Sequence, residues 1–161
     1  MATRFVGNPL GAEFPATNFP QLLLSNRRPV LAYDAGTDET AYWTGIAPQG
    51  LTGGITVLIT YAMASATSGN IVWQAAIEAI TDGDAVNVNS ATSFDTANSS
   101  GAVAVPGTAG YIDQAVITMT AADNIAAADY FRLSVNRDAD NASDTATGDA
   151  YLLAVEIRDA A

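Results

Sequence analysis

No cysteine, histidine or lysine occurs among the 161 residues. Without cysteine there is no disulfide framework, thiol nucleophile or thiolate metal site. Without histidine the commonest general base and transition-metal ligand is missing. Without lysine neither Schiff-base chemistry nor a P-loop phosphate site can form. Charge is scarce, 14% of residues against about 25% in an average globular chain. It is also one-sided: six arginines face seventeen carboxylates, a net charge of −11. Such a surface suits neither nucleic acid nor an anionic membrane, and neither partner is expected. No apolar run approaches the ~18 residues of a membrane span. The start, Met1-Ala2-Thr3-Arg4-Phe5, lacks the apolar stretch and cleavage site of a signal peptide, so no export signal is expected.

What is present describes a scaffold. The apolar fraction is 49%, too high for a disordered acidic chain. A single domain of this length can bury about two thirds of its unfolded surface, enough for a core without staples. Alanine supplies 32 positions, and Thr, Ser and Asn together 36. The chain changes character at Arg27-Arg28-Pro29. Four of the six prolines (Pro9, Pro15, Pro20, Pro29) lie before Val30, each fixing φ and holding its predecessor extended. Residues 1–28 therefore read as an extended N-terminal arm, either strapped across its own domain or packed on a neighbouring subunit. Its apolar and basic residues, Arg4, Phe5, Phe14, Phe19, Arg27 and Arg28, fit the inventory of an interface. Leu22, Leu23 and Leu24 are likewise too apolar for a solvated tail.

From residue 29 to 161 the pattern is β. In 54–64, Ile55, Val57, Ile59, Tyr61 and Met63 alternate with Thr56, Leu58 and Thr60. In 70–80, Ile71, Trp73, Ala75 and Ile77 oppose Val72, Gln74 and Glu78. Further strands are expected at 30–35, 41–46, 85–94, 111–120, 130–137 and 150–159. In the last, Tyr151, Leu153, Val155 and Ile157 are expected inward. A short helical turn is expected at 121–128. Eight strands joined by Gly, Asp and Asn close as an all-β, jelly-roll-like sandwich. Several strands are apolar or small on both faces, which points to covered outer surfaces and a closed, symmetric self-association.

Chemistry-bearing patterns are few. The run Arg137-Asp138-Ala139-Asp140-Asn141-Ala142-Ser143-Asp144-Thr145 offers oxygens at alternate positions, so Asp138, Asp140 and Asp144 are a weak Ca²⁺ candidate. Ala142 stands where an oxygen ligand is wanted and no glutamate closes the loop. A hairpin bonded to its own backbone is the favoured reading. Asp34, Asp38, Glu39, Asp82 and Asp84 could serve as paired carboxylates, but they fall in turns, where Asp is expected for local bonding alone. Trp43, Trp73, Tyr42, Tyr61, Tyr111, Tyr130 and Tyr151 could stack on sugars, although strand aromatics are usually core. Gly53-Gly54 and Gly107 precede no helix that would present a phosphate site. No enzyme and no cofactor are expected.

The run Ala128-Asp129-Tyr130-Phe131-Arg132-Leu133-Ser134-Val135-Asn136-Arg137-Asp138, then Ser143-Asp144-Thr145, then Gly148-Asp149-Ala150 through Ile157, resembles small β-rich virion proteins of tailed bacteriophages. Asn70-Ile71-Val72-Trp73 followed by Asp82-Gly83-Asp84 matches the same pattern. The resemblance is loose over 30–159 and specific over 128–157. It implies a jelly-roll-like capsid decoration (cement) protein on the virion exterior, made in the host cytoplasm. Its partners would be the major capsid protein and neighbouring copies of itself, and the resemblance implies a homotrimer. A carbohydrate- or receptor-binding module of a head or tail fibre is the alternative.

Overall fold

The computed structural model describes residues 1–51, 54–90 and 92–160. Gly53, considered above for a phosphate loop, lies outside the described residues. Among the described residues ten strands form two antiparallel sheets: β1 (Thr3–Gly7), β2 (Gln21–Ser25), β3 (Arg28–Tyr33), β4 (Glu39–Ile46), β5 (Ile55–Met63), β6 (Asn70–Ile80), β7 (Asn98–Ala104), β8 (Ile112–Met119), β9 (Tyr130–Arg137) and β10 (Ala150–Asp159). The first sheet runs β2-β3-β10-β5-β8, and the second runs β4-β9-β6-β7. In the first, β5 flanks β10 along its length. On the other side of β10, β3 pairs with Ala150–Leu152 and β1 with Val155–Arg158.

The all-β sandwich expected from alternation is what forms. Inward residues of both sheets meet in one core that includes Tyr33, Trp43, Ile59, Tyr61, Trp73, Phe131, Leu133 and Leu152. Trp73 stands edge-on to Tyr33 (centroids 5.0 Å) and to Tyr61 (5.7 Å), the arrangement favoured by aromatic quadrupoles.

Several expectations are corrected. Residues 1–28 lie strapped against the chain's own domain and contribute strands to it, so the expected boundary at residue 29 does not separate them from the sandwich. β1 adds to the first sheet against β10, β2 forms a hairpin with β3, and Glu13 bridges to Tyr42 beside β4. The short strands escaped notice because prolines interrupt the segment that carries them. Among the described residues of 85–94 there is no strand; Ala91 lies outside them, and β7 begins at Asn98. Before β7 the Asp95 N–H donates to Ile77 O (2.9 Å) and the Ser93 N–H to Glu78 Oε1 (2.5 Å). Among described residues 121–128 there is no helix but a pair of turns, with positive φ at Asp123, Asn124 and Ala128. In β10 a bulge between Leu152 and Ala154 reverses the phase. Leu152, Val155 and Ile157 face the core, whereas Tyr151 and Leu153 face outward.

Candidate functional site

Register fixes what the first sheet shows on its outer face. Val30 and Ala32 of β3, Leu58 and Ala62 of β5, Ile112 and Val116 of β8, and Tyr151 with Leu153 of β10 all point away from the core. Side-chain neighbours within the face bury Val30, Ala32, Leu58 and Ala62, while Ile112 and Val116 stay exposed (65% and 52%). A hollow of about 450 Å³ opens in this face, bordered by Arg28, Val30, Ala62, Ile112, Tyr151 and Leu153. The outward positions of β3, β5, β8 and β10 carry charge only at Arg28, Glu156 and Arg158. Arg158 and Glu156 pair with each other at 2.8 Å. With Thr56, Thr60, Gln114 and Thr118 also pointing outward, this is a nearly neutral face of mixed apolar and uncharged polar character in a chain of net charge −11. Faces of that kind mark contact surfaces.

β2 lies at the border of this sheet. Asn26 and Arg27, at φ 46° and 68°, form the two-residue turn that joins it to β3. Leu22, Leu23 and Leu24 are exposed at 47%, 38% and 74%.

The outer face of the second sheet is different. Arg132 lies over the rings of Tyr42 (4.7 Å) and Phe94 (5.4 Å), and its guanidinium reaches Glu78 at 3.5 Å. A smaller hollow of about 210 Å³ is bordered by Glu13, Glu78, Ile80, Val88, Tyr130 and Arg132. Glu13 accepts a hydrogen bond from the Thr44 hydroxyl (2.6 Å).

Of the six residues singled out for an interface, two are half-buried and engaged in contacts within the chain. Arg4 binds Asp159 (2.6 Å), and this hydrogen bond, more than the charge itself, lowers the Asp159 carboxyl below its ordinary range. Phe5 stands edge-on to Phe131 at 5.2 Å. Phe14 and Phe19 remain at the surface, their rings 5.6 Å apart. Arg27 sits in the hairpin turn and Arg28 borders the large hollow.

The Ca²⁺ candidate does not assemble as expected. Asp144 is occupied by Arg137, whose Nη2 lies 2.7 Å from Oδ1, both side chains buried. In its place Asp38, distant in sequence, joins Asp138 and Asp140 with carboxylate oxygens within 4.8 Å of one another. Asp38 raises the carboxyl of Asp140, an uncompensated repulsion. Asp38 Oδ1 also accepts the N–H groups of Ala139 (2.7 Å) and Asp140 (3.2 Å). Asn141 accepts the Ser143 N–H (3.0 Å) and donates to Asp138 (2.8 Å), so the loop holds itself. Of the aromatics considered for sugar stacking, Trp43, Trp73 and Tyr61 are core; Tyr111 and Tyr130 are exposed.

No protein-family model matches the chain, and no curated protein matches it in sequence. Solved structures with a similar arrangement include the CBM22-1 xylan-binding domain of Xyn10C from Paenibacillus barcinonensis (11% identity, TM-score 0.49, 99% of this chain and 97% of that one). The xylan-binding module CBM15 is another (13%, TM-score 0.44, 98% and 99%). A third is the Arthrobacter globiformis T6 isomalto-dextranase complexed with panose (18%, TM-score 0.44, 96% of this chain, 22% of that one). At these identities the likeness is one of architecture, and no ligand passes from them to this chain.

Proposed function

We propose that the chain is a non-catalytic structural protein of a phage particle, seated on the capsid shell by the outer face of its first sheet. The observation that carries this reading is that face: broad, partly apolar and almost uncharged on an otherwise acidic molecule. Burying it against a neutral protein surface gains hydrophobic free energy of about 25 cal/mol per Å². It brings no acidic cluster into the contact. The resemblance of residues 128–157 to virion proteins supplies the setting. Self-association with neighbouring copies belongs to the same reading. The test is co-sedimentation with shells of the major capsid protein from the same particle. The unaltered chain should pellet with shells, and Leu153→Glu should stay in solution with an unchanged circular dichroism spectrum. Equal pelleting of the two would refute docking by this face.

A second reading, a carbohydrate-binding module, rests on the small hollow of the second sheet. Glu13 and Glu78 could accept hydrogen bonds from sugar hydroxyls, Arg132 could donate one, and the exposed Tyr130 ring could stack. A glycan array separates the readings. Saccharide binding that Tyr130→Ala abolishes would favour the second.

A further inference from the structure

We infer that two copies of this chain join through β2, edge to edge, to make one continuous sheet. This inference goes beyond the capsid reading and does not depend on it. An edge strand presents unpaired N–H and C=O groups, and soluble proteins usually blunt it with charge, proline or a bulge. β2 has none of these within Gln21-Leu22-Leu23-Leu24-Ser25, and its register with β3 is unbroken.

The direction of the free groups follows from the hairpin. A two-residue turn makes Ser25 and Arg28 a hydrogen-bonded pair, so Leu24 and Pro29 form a non-bonded pair, Leu23 and Val30 a bonded one, and Leu22 and Leu31 a non-bonded one. Pro29, which has no N–H, falls where none is needed. The N–H and C=O groups of Leu22 and Leu24 therefore point outward, away from β3.

The occupant is a second copy because the strand is its own complement. Laid antiparallel about Leu23, Gln21 meets Ser25, Leu22 meets Leu24, and Leu23 meets its twin. Leu22 and Leu24 of opposite copies then exchange bonds, about four across the pair, the pattern of an antiparallel ladder. Electrostatics select the same contact. Two molecules of net charge −11 repel over most of their surfaces. β2 carries no charge, and its hairpin turn brings Arg27 and Arg28 rather than carboxylates. Isologous pairing closes at two copies, so the unit it specifies is a dimer, not the homotrimer that the resemblance implies.

Analytical ultracentrifugation over a concentration series tests this with the full chain. The expected species has twice the 16.6 kDa chain mass, with at least a tenfold weaker association for Leu24→Pro. That substitution deletes one outward N–H, as edge strands tolerate, and leaves the bonds to β3 in place. Leu23→Lys, which sets like charges face to face at the twofold axis, should be monomeric with an unchanged circular dichroism spectrum and melting temperature. A monomer at high concentration, a trimer, or a dimer that both variants leave intact would each overturn the pairing. Shell binding by a monomeric variant would leave the capsid reading standing.

Discussion

Arg137 and Asp144 form an ion pair out of reach of water: the guanidinium Nη2 lies 2.7 Å from the carboxylate, with side-chain exposures of 0% and 1%. Arg137 also donates to the carbonyls of Ala146 (2.7 Å) and Gly148 (2.9 Å), and Asp144 accepts the Val72 N–H (3.0 Å). The pair thereby ties the loop after β9 to the start of β6.

Removing one partner strands a buried charge. Asp144→Ala should destabilise by about 3–5 kcal/mol, and Arg137→Met in the same chain should recover much of that, because both charges then leave the interior. Chemical denaturation of the two single variants and the double variant checks this. Additive losses would show that the pair is not coupled.

The N-terminal segment is part of the fold. Phe5→Ala should cost about 3 kcal/mol, since it removes the ring that packs on Phe131. Deleting residues 1–28 should lower the melting temperature sharply or abolish the cooperative transition. A truncated chain that melts like the full one would show that the segment is separable from the fold.

Gly7 lets β1 approach the core. A Cβ there would meet Trp43 Cδ1 at 2.6 Å and Val155 Cγ2 at 2.8 Å. Gly7→Ala should therefore destabilise by about 1–3 kcal/mol through overpacking. The same denaturation assay reads it, and no loss would mean that Trp43 can move aside.

Acid should loosen β1 before the rest of the sheet. Arg4 holds the Asp159 carboxyl below its ordinary value of 3.8. The folded value is depressed, so this stabilisation is present above pH 3.8 and is lost as pH falls through the lower folded value. Hydrogen exchange of β1 amides should rise there, and Asp159→Asn should show the faster exchange already at neutral pH. At Asp140 the sign is reversed: Asp38 raises the carboxyl, so ionisation opposes folding as pH rises. Asp140→Asn should raise the melting temperature at pH 7 and leave it unchanged well below the carboxylate range.

The sandwich was legible wherever alternation ran unbroken. Ile55 to Met63 and Ile71 to Ile77 each placed their core residues correctly, because a strand with one buried face repeats every two residues. Tyr151 and Leu153 misled because a bulge breaks the period without any mark in composition. β1 and β2 stayed hidden behind prolines, although the three consecutive leucines and the Asn26-Arg27 turn were visible signals. The Asp38 contact with the 138–140 loop could not be read, since only the fold brings residues a hundred positions apart together.

β10 lies at the centre of the first sheet, held on both sides, yet the ribosome makes it last of the ten strands. While the chain is being synthesised, β3 and β5 have no neighbour between them, and their edges are open to other chains. This sheet therefore closes only once β10 has been made, and slowly for a domain of this size because its pairings are so distant in sequence. Nascent chains crowded on one messenger RNA would be the form of this protein most in need of a chaperone.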